Sequence, residues 1–233
     1  MRLDRFLGET TELTRSLAKK AMHRGEVRVD GEVVKNPATQ VDDRHRVTWN
    51  DVPLALVGFR YVMLNKPAGV ECTARRSLYP RAMDLIDLPH VERLQTVGRL
   101  DVDTTGMVLL SDDGQWSHRV TSPKHRCAKV YRVTLAEALQ GESLDRAISA
   151  FAEGVLLDGE ETPTRPAELA MRSPRVAELV LWEGKYHQVK RMFAAIGNHV
   201  TGLHREAIGP LRLGALAEGE WRELSADEVA AFD

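Results

Sequence analysis

The chain has 233 residues, 43% of them hydrophobic, enough to bury a conventional core in one large domain or in a small domain joined to a medium one. The longest apolar runs, such as Met107 to Leu110, are far too short for a membrane helix, and the start Met1-Arg2-Leu3-Asp4-Arg5 lacks the apolar region of a secretory signal, so a cytoplasmic location is expected. A formal charge of −2 argues weakly against a nucleic-acid partner when taken alone, and Cys72 and Cys127, without ligand spacing, read as reduced structural thiols with no metal or other cofactor.

Along the chain, Leu3, Phe6 and Leu7 have helical spacing. Thr14 then stands as N-cap of a second helix through Leu17, Ala18, Ala21 and Met22, with Gly25 as its terminator. In Val27-Arg28-Val29-Asp30-Gly31-Glu32-Val33-Val34 an Asp-Gly pair sits between alternating β-branched residues, the signature of a tight hairpin. Pro37 closes it, and Val47-Thr48-Trp49 offers another strand. Between Arg2 and Arg28 there are seven basic and four acidic residues, with Arg15, Lys19 and Lys20 clustered on the second helix. A linker is expected around Pro53 to Gly58.

Beyond it the pattern is mostly strands, at Tyr61–Asn65, Met107–Leu110, Lys129–Leu135, Ala177–Trp182 and Val200–His204. Helices are expected near Gln115–Val120 and over Tyr186–Ile196, the latter ended by Gly197. Strand-rich stretches with scattered helices and no βαβ alternation predict an α+β fold around a mixed, mostly antiparallel sheet. Charge is unevenly distributed. Gly114 to Ala136 holds Arg119, Lys124, Arg126, Lys129 and Arg132 with no acid, and Gly184 to Arg205 holds Lys185, Lys190, Arg191 and Arg205, again with no acid. Two such windows suggest a polarised surface.

The most informative segment runs from Thr96-Val97-Gly98-Arg99-Leu100-Asp101-Val102-Asp103-Thr104-Thr105-Gly106 into the apolar strand. It places Arg99, Asp101 and Asp103 on a loop held at both ends by sheet, a rigid way to present a carboxylate; Asp and Thr also build ordinary turns. The spacing Asp101-Val102-Asp103-Thr104-Thr105 fits the nucleophile motif of haloacid-dehalogenase-type phosphatases as well. That motif follows an uninterrupted apolar strand in a doubly wound sheet, however, and here Gly98-Arg99 comes directly before Leu100.

Four ordered segments resemble the motifs of the pseudouridine synthases. They are Asn65-Lys66-Pro67-Ala68-Gly69, the Gly98-Arg99-Leu100-Asp101 run with Thr104-Thr105-Gly106, Lys129-Val130-Tyr131-Arg132-Val133, and Glu183-Gly184-Lys185-Tyr186-His187-Gln188-Val189-Lys190-Arg191. Residues 1–57, with Arg2-Leu3-Asp4-Arg5-Phe6-Leu7 and Arg28-Val29-Asp30-Gly31, resemble an S4-like RNA-binding module, and 58–233 would form the catalytic domain. Ser117-His118-Arg119-Val120-Thr121-Ser122-Pro123 and the Tyr-His-Gln-Val-Lys-Arg form are similar to the RsuA-type branch, which modifies uridine 516 of 16S ribosomal RNA. The sister enzymes that act on large-subunit RNA carry an Asn-Arg-Gln form at Tyr186-His187-Gln188.

The resemblance implies Asp101 as nucleophile, Lys190 as its cationic partner and Tyr131 stacked on the target uracil. It further implies substrate contacts from Arg99, Thr105, Gln188 and Arg191, and RNA contacts from Arg2, Arg15, Lys19 and Lys20. The implied partner is 16S ribosomal RNA, in a partly assembled small subunit, met by a monomer. An RNA-binding protein without catalysis is the other reading, against which the intact set of Asp101, Tyr131 and Lys190 argues.

Overall fold

The computed structural model describes residues 1–55 and 58–232. The chain forms two compact units, Met1–Gly58 and Phe59–Asp233.

In the first unit, helices α1 (Leu3–Thr10) and α2 (Arg15–His23) lie with strands β1 (Val27–Val29), β2 (Glu32–Val33), β3 (Val47–Trp49) and β4 (Val52–Leu54), hydrogen-bonded in the order β2-β1-β3-β4. Leu3, Phe6, Leu7, Ala18, Ala21, Met22, Val27 and Val47 make its core. Thr14 caps α2 by accepting from the Leu17 amide, which satisfies one of the helix's free donors. At the β1–β2 turn Asp30 and Gly31 have φ of 52° and 91°, the left-handed pair that matches strand twist in a two-residue hairpin. The stretch expected to be a linker begins as β4; residues 56 and 57 lie outside the described residues. Pro53 is tolerated there because β4 is an edge strand, where a missing N–H breaks no ladder.

The second unit is built on one sheet. Its elements are β5 (Tyr61–Lys66), β6 (Gln95–Val97), β7 (Thr105–Ser111), α3 (Gly114–Thr121), β8 (Lys129–Leu135), α4 (Glu142–Glu153), β9 (Glu168–Ser173), β10 (Val176–Leu181), α5 (Gln188–Ala195), β11 (Val200–Ile208), β12 (Leu211–Arg212), β13 (Trp221–Glu223) and α6 (Ala226–Ala230). The main order is β13-β5-β7-β11-β8-β10-β9, with β6 against β7 and β12 against β11. All these pairs are antiparallel except β7–β11. That arrangement is the mixed, mostly antiparallel sheet of an α+β fold, and it excludes a doubly wound parallel one.

Both faces of the sheet are covered, which is why its central strands read as continuous apolar runs. Val108 and Leu110 of β7 pack on one side with Phe151 of α4 and Phe193 of α5. Met107 and Leu109 pack on the other with Trp116 of α3. Helix α4 is absent from the pattern expected above, although Leu144, Ala147, Ile148 and Phe151 have helical spacing.

The parallel contact of β7 and β11 is tight. Gly106 pairs with Arg205, and a Cβ added at Gly106 would lie 2.3 Å from the Arg205 carbonyl oxygen, at a φ of +107°. Both the close approach and the backbone conformation require glycine. Gly106→Ala is expected to destabilise the protein by about 3 kcal/mol or more, because the obstacle is backbone that no rotamer change relieves; urea unfolding of the two proteins measures it.

Candidate functional site

Three adjacent strands bring the site together. Gly106 of β7, Arg205 of β11 and Tyr131 of β8 lie side by side in register. The loop from Gly98 to Thr104 enters β7 immediately above this row, and α5 approaches from the segment that precedes β11. Between them is a cleft of about 920 Å³, lined by Arg99, Asp101, Lys129, Tyr131, Lys190 and Arg205 among others.

The loop is anchored from below. Lys66, at the end of β5, is fully buried. Its ammonium donates to the carbonyls of Pro67 and Val70, each at 2.8 Å, and reaches that of Val102 at 3.4 Å. The Gly69 amide donates to the same Val102 carbonyl at 2.8 Å, and the Leu100 amide to the Cys72 thiol at 3.4 Å. The Asn65-Lys66-Pro67-Ala68-Gly69 turn is thus the clasp of the loop. Burial lowers the Lys66 pKa from its ordinary value, but three carbonyl dipoles converge on the charge and offset part of that cost.

Asp101 faces the cleft between two side-chain nitrogens. Its Oδ1 lies 3.2 Å from Nε2 of His187 and its Oδ2 lies 3.3 Å from Nζ of Lys190. Lys190 is held more closely by Asp103, at 2.7 and 2.9 Å to the two oxygens. One ammonium therefore serves two carboxylates. Partial burial works against its charge, but the two carboxylates outweigh it and raise the Lys190 pKa. The Lys190 ammonium holds the Asp103 carboxyl below the usual carboxylate range. His187 initiates α5 in the left-handed conformation, φ 47°, with its ring stacked on Tyr186 at 3.8 Å. The sequence assigned His187 no role; the structure brings its imidazole to Asp101.

Tyr131 is buried except for its face toward the cleft, and its hydroxyl accepts from Nη1 of Arg205 at 3.4 Å. Arg99 is exposed at the cleft rim. The remaining expected substrate contacts have partners within the protein. Gln188 is buried, donates to Glu183 at 2.7 Å and accepts from the Lys185 amide at 2.8 Å. Arg191 spans to Glu160 at 3.0 Å and to the carbonyls of Tyr186 and Asp158. Thr105 meets Nδ1 of His204 at 2.8 Å. These three side chains fasten the motif segments.

Three of the four cations of the second acid-free window are neutralised in space, because Lys185 and Arg191 both pair with Glu160 and Lys190 with Asp101 and Asp103. The polarised surface expected there is replaced by ion pairs between segments distant in sequence. In the first window, Lys124 and Arg126 are exposed and line a smaller concavity of about 440 Å³ with Arg165 and Trp182. In the N-terminal unit Arg15, Lys19 and Lys20 are exposed, while Arg2 is paired with Asp4 at 2.9 Å.

Comparison with known proteins agrees with this arrangement. Residues 60–195 match the family described as RNA pseudouridylate synthase, and residues 1–47 match the S4 domain. The chain is 49% identical over 235 residues to the ribosomal small subunit pseudouridine synthase A of Pasteurella multocida, covering 100% of both. It is 46% identical over 233 residues to the protein of that description in Escherichia coli, covering 99% of both. A solved pseudouridylate synthase structure superposes with a TM-score of 0.71 at 45% identity, covering 100% of both chains.

The Asp103–Lys190 pair generates a pH prediction. A carboxylate with a depressed pKa adds stability above its unfolded value and loses it as pH falls through the folded value. Asp103 is 71% exposed, so the effect on stability is small, but the titration is readable. In a carboxyl NMR titration Asp103 should show a midpoint below the ordinary value of 3.8, and Lys190→Met should move it upward.

Proposed function

The chain belongs to the RNA pseudouridylate synthase family, and we propose that it isomerises one uridine of small-subunit 16S ribosomal RNA, uridine 516, with Asp101 as nucleophile. The substrate is proposed as a partly assembled small subunit met by a monomer of the enzyme. The observation that carries the reading is the setting of Asp101: a carboxylate on a clasped loop, facing a cleft, with Lys190 donating to one oxygen, His187 close to the other and Tyr131 on the neighbouring wall. The names of the full-length relatives support the small subunit as target.

The reaction breaks the bond from ribose C1′ to N1 and joins C1′ to C5, moving one proton from C5 to N1, with no net oxidation or reduction. A carboxylate that faces the cleft on a fixed loop is the group suited to take part at the sugar or the base. The target nucleotide must leave its stack, which costs a few kcal/mol. Stacking on Tyr131 returns roughly 1–3 kcal/mol of that. Arg99, exposed at the rim, is positioned to fill the space left in the RNA. The side chains of Arg15, Lys19 and Lys20 in the S4 region, and of Lys124 and Arg126 beside the cleft domain's smaller concavity, supply cations for phosphates.

Asp101→Asn should abolish pseudouridine formation in 16S ribosomal RNA while changing RNA affinity by less than about threefold; retained turnover would remove Asp101 from the nucleophile role. Mapping pseudouridines in ribosomal RNA from cells with and without the gene tests the target, since loss at a position other than 516 reassigns the site. Reversing the charge at Arg15, Lys19 and Lys20 should weaken binding and flatten its salt dependence. The log–log slope should fall by up to about 0.9 for each phosphate no longer neutralised on duplex RNA, by analogy with B-form DNA. An unchanged slope would mean that these side chains meet no phosphate.

A further inference from the structure

Arg205 is the least expected side chain in the cleft domain. It is 2% exposed, and it stands opposite Tyr131 of β8, just before a bulge in β11. Nε donates to the Met107 carbonyl at 2.8 Å and Nη1 to the Tyr131 hydroxyl at 3.4 Å. Nη2 is buried without any partner. Among the described residues no carboxylate pairs with this guanidinium, although the chain forms many Arg–acid pairs elsewhere. Its carbon lies 6.0 Å from the centre of the Tyr131 ring. Lys129, on the same face of β8 as Tyr131, adds a second half-buried cation to the cleft, and burial and the Arg205 charge lower its pKa.

A buried charge with no counter-ion costs several kcal/mol relative to a neutral isostere. Such a cost persists where the missing negative charge arrives with the substrate. We propose that Arg205 is a positioning residue for the isomerisation. It holds Tyr131 in place and sets a fixed positive charge behind it, which stabilises the negative charge that the uracil acquires when its bond to C1′ breaks.

Heterolysis leaves the bonding pair on the base, spread over N1 and the ring carbonyls. The same pair later forms the bond from C5 to C1′, and the C5 proton is lost as N1 gains one, so no further reactant enters. With Asp101 on one wall and Arg205 beneath another, the cleft presents opposite charges to the two ends of a bond that separates into opposite charges. Such a preorganised field needs no reorganisation as the charge develops, which is what makes it effective. The proposal rests on the cleft being the isomerase site.

The test compares full-length wild type, Arg205→Gln and Arg205→Lys, using partly assembled small subunits whose 16S ribosomal RNA is labelled at uridine C5. If the charge serves the reaction and not the fold, Arg205→Gln has a thermal midpoint equal to or above that of wild type. Its single-turnover rate falls about 100-fold, its RNA affinity stays within about threefold, and Arg205→Lys recovers at least about tenfold of the lost rate. A purely structural arginine gives the reverse: a lower midpoint or an unfolded Arg205→Gln, with Arg205→Lys no more active than Arg205→Gln. Either that pattern, or an Arg205→Gln variant within threefold of wild-type rate, overturns the proposal. The stability arm needs no RNA, so it still decides if wild type proves inactive on those particles, an outcome that instead counts against the substrate assignment.

Discussion

The parallel contact of β7 and β11 is the constraint from which the cleft follows. It is the only parallel pair among the described strands of that sheet, and it is close enough that no side chain but hydrogen fits at position 106. Because β7 begins where the Asp101 loop ends, the contact sets the height of the loop above the sheet. Because β11 follows α5, the same contact places the first turn of α5, with His187 and Lys190, opposite that loop. Tyr131 then enters by register from β8 on the far side of β11. Four side chains from three segments are thus referenced to one pair of strands.

The charges in the cleft form a partition. On the loop side two carboxylates share one ammonium, with an imidazole on the second oxygen of Asp101. On the sheet side lie a guanidinium without an acid and a half-buried lysine. The surrounding ion pairs, Lys185 and Arg191 with Glu160, keep the α5 segment in place without adding net charge to the cleft. Asp103 has a part in this arrangement beyond its place in the motif. By taking the shorter contact with Lys190 it leaves the ammonium within reach of Asp101 without a close bidentate pairing that would block the carboxylate from a substrate.

Much of this was legible in the sequence, for identifiable reasons. Local chemistry announced the Thr14 cap, the Asp30-Gly31 hairpin and the strand Lys129–Leu135, since each depends on neighbours within a few residues. The ordered motifs announced the juxtaposition of Asp101, Tyr131 and Lys190 through resemblance. What escaped depends on contacts between distant segments. Glu160 neutralising Lys185 and Arg191, Asp103 competing for Lys190, and Gln188 turning inward to Glu183 leave no trace in local spacing. Two features did leave one. Helix α4 has regular apolar positions, and Arg205 is a charged residue two positions after the apolar Leu203 in a strand.

The Lys66 clasp has a consequence for how such a sequence can drift. Its ammonium grips main-chain oxygens only, and every amino acid possesses one. Positions 67, 70 and 102 are therefore free to change identity so far as this grip is concerned, whereas position 66 is not, because shortening it or removing its charge releases three backbone carbonyls at once. The side-chain requirement of this grip, across a joint that spans two segments, thus falls on one position.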